Sequence, residues 1–100
     1  MRVTVVRSGG VAGMVLTVDV DAAELDPDAA TALTVLVDGC DLVDGPPSTV
    51  ADGFAYEVTV AGDDGSVRRA RFGQGGAPPG ADALVAWVID GSHGTRRLGR

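Results

Sequence analysis

The apolar residues of this chain follow two different spacings, which divide it into strands and helices. Alternation of apolar and polar side chains predicts four β-strands, at residues 2–7, 14–20, 54–60 and 66–72. A spacing of three or four predicts two amphipathic helices, at residues 27–38 and 80–90. The order of elements is therefore ββαββα, two hairpins that are each followed by a helix.

The first helix has clear boundary signals. Asp26 can cap its free amides, Pro27 suits its first position and Gly39 can end it. The predicted buried stripe of this helix is Leu33, Leu36, Val37 and Cys40. That of the second helix is Leu84, Trp87 and Val88.

These elements predict an α+β fold, a four-stranded antiparallel sheet with both helices packed on one face. We expect one domain over residues 1–91, followed by a flexible C-terminal tail at 92–100 that lacks apolar periodicity. The connection at residues 41–53 is long enough for either a simple meander or a crossover, so the strand order stays open.

The charge balance narrows the class of partner. Fourteen acidic and eight basic residues give a net charge of −6, which argues against nucleic acid because phosphate binding needs clustered positive charge. No segment approaches the roughly 20 apolar residues of a membrane span, and the apolar run at residues 1–7 is too short for a signal peptide. We therefore expect a cytoplasmic protein without a membrane partner, monomeric on its own.

Candidate chemistry is scarce. The chain has one histidine, His93, and one cysteine, Cys40, whereas a zinc site needs three or four converging ligands. Cys40 falls on the apolar stripe of the first helix, and Ser8 has no base beside it in the sequence. We expect neither a metal nor a cofactor, and we expect the protein not to be an enzyme.

Two groups of residues are candidates for binding a partner. The first is the glycine-rich tip of the first hairpin, Arg7, Ser8, Gly9, Gly10, Val11, Ala12 and Gly13. The second is Arg69 and Arg71 on one face of a strand. Each group has a purely structural explanation, because glycines can serve the turn alone and the arginines can pair with Glu57.

The segment Arg7-Ser8-Gly9-Gly10, followed by Ala12-Gly13, resembles the emfourin family, small bacterial inhibitors of zinc metallopeptidases. Further matches occur in the same order along about residues 2–89. They are Leu33 and Leu36-Val37-Asp38, the strand Phe54-Ala55-Tyr56-Glu57-Val58-Thr59-Val60, and Ala77-Pro78-Pro79 with Leu84 and Trp87.

The resemblance implies a non-covalent, competitive inhibitor that plugs the catalytic cleft of a thermolysin-like or protealysin-like peptidase of the M4 class. Val11, or the Leu42–Val43 pair, which is predicted to be exposed, would then fill the apolar pocket beside the enzyme's zinc. The alternative is a small non-catalytic interaction module without inhibitory activity, which binds its partner through the sheet face that carries Arg69 and Arg71.

Overall fold

In the computed structural model, which describes residues 1–10 and 13–99, the predicted strands and helices all form. Their bounds agree with the prediction to within two residues. The elements are β1 (Arg2–Gly9), β2 (Met14–Asp21), α1 (Pro27–Asp38), β3 (Phe54–Ala61), β4 (Val67–Gly73), α2 (Ala81–Asp90) and β5 (Thr95–Gly99). The α+β class is confirmed.

The sheet has five strands, so the prediction of four strands in the order ββαββα is wrong. The additional strand, β5, lies within the segment 92–100 and is antiparallel to β2. In this pairing Val15 lies opposite Gly99 and Asp19 lies opposite Thr95. All five residues of β5 are exposed, so the strand has no buried alternation that its sequence could reveal. Backbone pairing with β2 defines it, and the order of elements is ββαββαβ.

The strand order is β4-β3-β1-β2-β5, with every neighbouring pair antiparallel. The connection from β2 to β3, which carries α1, is therefore a crossover and not a meander, because β1 lies between these strands. In the same way α2 carries the chain from β4 at one edge of the sheet to β5 at the other. Each helix therefore crosses over the strands that lie between the two it connects, and both helices cover the same face of the sheet.

The core lies between that face and the two helices. On β1, Val3 and Val5 are fully buried, and the alternate residues of the neighbouring strands point to the same side. Leu33 and Val37 of α1 and Leu84 and Val88 of α2 close the core from above, as predicted. Asp26 starts α1 as expected, since its carboxylate accepts a hydrogen bond of 2.8 Å from the Ala29 N–H.

Trp87 departs from the predicted stripe of α2. Its side chain is only half-buried and stacks on His93, with ring centroids 3.8 Å apart and planes within 3°. Ile89 is instead buried in the core. The chain after α2 turns back toward the sheet, which brings His93 onto the indole.

The long connection before β3 covers the outer edge of β4. Asp44 Oδ1 accepts a hydrogen bond of 2.9 Å from the Arg71 N–H, and the Gly45 N–H donates to the Arg71 carbonyl at 2.8 Å. Two residues along β4, the Gly73 N–H donates to the Pro46 carbonyl at 2.8 Å. These bonds satisfy backbone groups that an open edge strand would present to other chains.

We expect Asp44→Ala to lower the free energy of unfolding by about 1 kcal/mol, because the Arg71 N–H loses its acceptor. Asp44→Asn keeps an acceptor oxygen and should recover most of that loss. Urea unfolding followed by circular dichroism measures both changes. The matched control is Asp41→Ala, a neighbouring exposed aspartate, and an equal loss in that variant would contradict the assignment.

Cys40 is a core residue with 5% of its surface exposed. Burial away from water, followed by the nearby charge of Asp41, raises the pKa of its thiol above the ordinary value. The folded state therefore holds this proton more tightly than the unfolded state does. The resulting contribution to stability is present below the ordinary thiol pKa and is lost as the pH rises above it.

An aromatic disulfide reagent at pH 8 should therefore label Cys40 at least about tenfold more slowly in the folded protein than in urea. A second measurement tests the sign of the pH effect. Between pH 7 and pH 10 the unfolding free energy of the wild type should fall more than that of Cys40→Ala. Rapid labelling of the folded thiol would show that it is accessible after all.

Candidate protein-binding site

The β1–β2 hairpin forms one end of the sheet, and glycines shape its backbone. Gly9, Gly10 and Gly13 have φ angles of 96°, 77° and 61°, in the left-handed region that side chains disfavour. The Gly13 N–H closes the turn with a hydrogen bond of 3.2 Å to the Gly10 carbonyl. Val11 and Ala12, which complete the predicted binding segment, lie outside the described residues.

Phe54, the first residue of β3, is held rigidly beside this turn. The Gln74 N–H donates to the Phe54 carbonyl at 2.8 Å, and the Phe54 N–H donates back to Gln74 Oε1 at 3.0 Å. The ring lies so close to Gly10 that a Cβ there would be 2.8 Å from Phe54 Cε1. Gly10 is therefore required both by its φ angle and by this contact.

Arg7 lies across the same ring. Its guanidinium carbon is 4.7 Å from the centroid of Phe54, within the range of a cation–π interaction. Arg7 pairs in register with Leu16 on one side and Tyr56 on the other, so its half-buried side chain is on the helix-bearing face. Among residues 1–10 and 13–99, no carboxylate lies within salt-bridge distance of it.

Two clefts meet at Arg7 on this face of the sheet, one on the part that the helices leave open and the other beneath α2. The first cleft has a volume of about 330 Å³ and a mostly apolar lining. Among the residues that the structure describes, it is lined by Arg7, Gly9, Gly10, Met14, Leu16, Phe54 and Leu98. The second, of about 250 Å³, lies under α2, where Tyr56 and Phe72 stack with centroids 5.6 Å apart. Asp82 and Asp90 of α2 also line the second cleft.

The other predicted binding residues lie elsewhere. Leu42 and Val43 belong to the connection outside β4, so two strands, β3 and β4, separate them from the hairpin tip. Leu42 is half-buried against the core, and only Val43, which is 58% exposed, matches the predicted exposed pair. Ser8 belongs to the hairpin but faces the side of the sheet without helices.

Arg69 and Arg71 share that helix-free face, as predicted, and both contact Glu57. The Arg71 Nε donates to Glu57 Oε2 at 2.7 Å, and the Arg69 Nε lies 3.7 Å from Glu57 Oε1. The helix-free face also carries the Arg2–Asp21 ion pair, at 3.6 Å. Arg2, Arg69 and Arg71 on this face thus each have a carboxylate within 4 Å, with Glu57 shared between Arg69 and Arg71.

The site that the structure assembles includes residues that the sequence did not indicate: Met14, Phe54, Gln74 and Leu98. Met14 and Phe54 alternate in phase with core residues, so their pattern alone predicts burial. Leu98 belongs to β5 and is 66% exposed. The only sequence signal for it is a large apolar residue among polar neighbours in the segment 92–100.

Two further observations bear on the class of protein. Within residues 1–10 and 13–99, no three histidine, cysteine, aspartate or glutamate side chains converge in a way that could hold a metal ion. Neither α1 nor α2, nor any other described helix, has the length and apolar character needed to cross a membrane.

Comparison with known proteins assigns the fold to a family. The model of the emfourin family matches residues 5–89, which include most of the β1–β2 hairpin, α1, the Phe54 strand and all but the last residue of α2. No curated protein and no solved structure matches the chain. Because the family model covers most of the sequence, the chain belongs to the emfourin family, a family of protease inhibitors.

Proposed function

We propose that this protein is a non-covalent, competitive inhibitor of a thermolysin-like zinc metallopeptidase of the M4 class, with a protealysin-like enzyme of the cytoplasm as its expected target. The emfourin match over residues 5–89 is the observation that supports this most strongly. The inhibitor itself is not consumed and supplies no metal. The zinc in this proposal belongs to the peptidase.

The hairpin tip is the part of the molecule best suited to enter a cleft. It extends from β1, which pairs with β2 and with β3 along all eight of its residues. Because this pairing fixes the strand that leads into the tip, less of the contact energy is spent on ordering that strand on binding. Glycines at positions 9, 10 and 13 keep the backbone slim enough to approach another surface closely.

In this mechanism Val11 fills the apolar pocket that lies beside the peptidase zinc. Occupying that pocket excludes substrate, which makes the inhibition competitive. The Leu42–Val43 pair is less suited to this role because Leu42 already packs against the core of its own domain. The remaining alternative, an interaction module that binds through Arg69 and Arg71, has less support because both arginines are engaged by Glu57.

The direct test is an activity assay of a purified thermolysin-like peptidase with increasing amounts of this protein. We expect KM to rise with inhibitor concentration while kcat stays unchanged. Val11→Asp should weaken inhibition at least about tenfold, since a charge replaces the apolar side chain at the centre of the contact. Full potency of that variant with an intact circular dichroism spectrum would exclude the hairpin as the inhibitory segment.

Two glycines offer a matched comparison. Gly13 and Gly65 both have positive φ angles, and among residues 1–10 and 13–99, chain neighbours aside, a Cβ at either position would meet no heavy atom within 4 Å. Gly65 lies in the β3–β4 turn, at the opposite end of the sheet from the hairpin. Alanine at either site should cost a similar backbone strain of about 1 kcal/mol.

We expect Gly13→Ala to weaken inhibition several-fold and Gly65→Ala to leave the inhibition constant within about twofold of wild type. Thermal melts of both variants check that their losses of stability are alike. Equal inhibition by the two variants would mean that the hairpin turn makes no close contact with the peptidase.

A further inference from the structure

We propose that the first cleft beside the hairpin is a second contact site for the peptidase, one that binds an apolar side chain together with a carboxylate. We name it the Arg7 cleft, because Arg7 is the one charged side chain among its lining residues that the structure describes. These residues are Arg7, Gly9, Gly10, Met14, Leu16, Phe54 and Leu98. This inference rests on the proposed function. It extends the interface from the tip of the hairpin onto the helix-bearing face of the sheet.

The shape of the cleft follows from the strand register. Gly9 pairs with Met14 on one side and with Phe54 on the other, so a residue without a side chain stands between two large ones. The result is a notch whose walls are Met14 and Phe54. Its volume of about 330 Å³ lies at the small end of the range for binding pockets, which suits one protein side chain.

β5 contributes the outer wall of the Arg7 cleft. Leu98 lies in register with Leu16, and Leu16 with Arg7, so these residues form one row across three strands. Leu98 is 66% exposed, an unusual position for a leucine on an otherwise polar edge strand. It also lies outside residues 5–89, the part of the chain that the family model matches. A role in binding explains why an apolar side chain extends this wall.

The charge of Arg7 determines the kind of group that the cleft prefers. Arg2, Arg69 and Arg71 all have a carboxylate within 4 Å in the structure. Arg7 has none among the residues that the structure describes, and the same is true of Arg68, Arg96 and Arg97. Those three side chains are exposed, whereas Arg7 is half-buried and its guanidinium lies over the Phe54 ring. A partly desolvated guanidinium beside apolar walls favours a carboxylate, with which it can form two parallel hydrogen bonds. The expected occupant is therefore an acidic residue of the peptidase next to an apolar one.

The cleft beneath α2 is a weaker candidate for the same group. It shares Arg7 but is also lined by Asp82 and Asp90, whose charges would repel a second carboxylate. No acidic residue is among the described residues that line the Arg7 cleft. The interface is therefore expected to extend from the hairpin toward β5.

The test measures inhibition constants of variants against a purified thermolysin-like peptidase at low and high salt. Arg7→Met keeps an apolar chain over Phe54 but removes the charge, and should raise the inhibition constant about tenfold at low salt. The constant of the wild type should rise with ionic strength, whereas that of Arg7→Met should depend on it less. Arg7→Lys, which keeps the charge without the planar fork, should lie between them.

Leu98→Asp tests the apolar wall without relying on Arg7. It should raise the inhibition constant about tenfold, because it removes an apolar contact and places a negative charge where a carboxylate is expected to bind. Val67→Asp is the matched control, since Val67 is 61% exposed and lies on β4 at the other end of the sheet. Its inhibition constant should stay within about twofold of wild type, and circular dichroism melts check that all variants fold.

The outcomes separate the two proposals. If the wild type inhibits but Arg7→Met and Leu98→Asp both stay within twofold of it, the Arg7 cleft is not a contact site and the proposed function stands. If Val67→Asp weakens inhibition as much as Leu98→Asp, the assignment to this cleft is wrong. If the wild type does not inhibit thermolysin-like peptidases, the proposed function fails and this inference fails with it.

Discussion

The pairing of β1 on both of its sides is the constraint on which the rest of the molecule depends. Each of its eight residues faces a partner in β2 and another in β3. Val3 and Val5 are completely buried, so a shift of one residue would turn them to the helix-free face and expose them to water. This register aligns the alternate residues of the flanking strands under the helices. It also fixes where β1 ends, and therefore where the glycine-rich turn projects from the sheet.

One edge strand of the sheet, β4, is covered by the long connection before β3, whereas the other, β5, is exposed. Backbone and side-chain groups of Asp44, Gly45 and Pro46 bond the outer side of β4. A Cβ at Gly73 would overlap the backbone of Pro47 and Ser48, so this close cover needs glycine in the strand. The opposite edge, β5, consists of exposed residues, including Arg96 and Arg97. Charged residues on an edge strand discourage pairing with other chains. Leu98 lies in the same strand, but an exposed leucine does not discourage such pairing.

The two faces of the sheet differ in the surroundings of their arginines. The protein is acidic overall, with a net charge of −6, and its helix-free face pairs arginines with carboxylates across neighbouring strands. Arg7 belongs to the other face, where its contact is the ring of Phe54. Gln74 forms hydrogen bonds with both the N–H and the carbonyl of Phe54 and so fixes the backbone that carries this ring. The proposed contact site therefore combines a half-buried cation with apolar neighbours, whereas Arg2 and Arg71 on the other face already contact carboxylates.

The sequence by itself determined the four longer strands, the two helices and most of the core, because alternation and helical spacing are local properties that burial on one face imposes. It also indicated the glycine-rich hairpin, since backbone in the left-handed conformation favours glycine over other residues. Only the tertiary structure decided the strand order, the existence of β5 and the joining of Arg7, Phe54 and Leu98 into one surface. Backbone hydrogen bonds between distant segments decide these features, and such bonds do not depend on residue type. An exposed strand such as Thr95–Gly99 therefore carries no periodic signal of its own, and its position is set by the free edge of β2 that it pairs with.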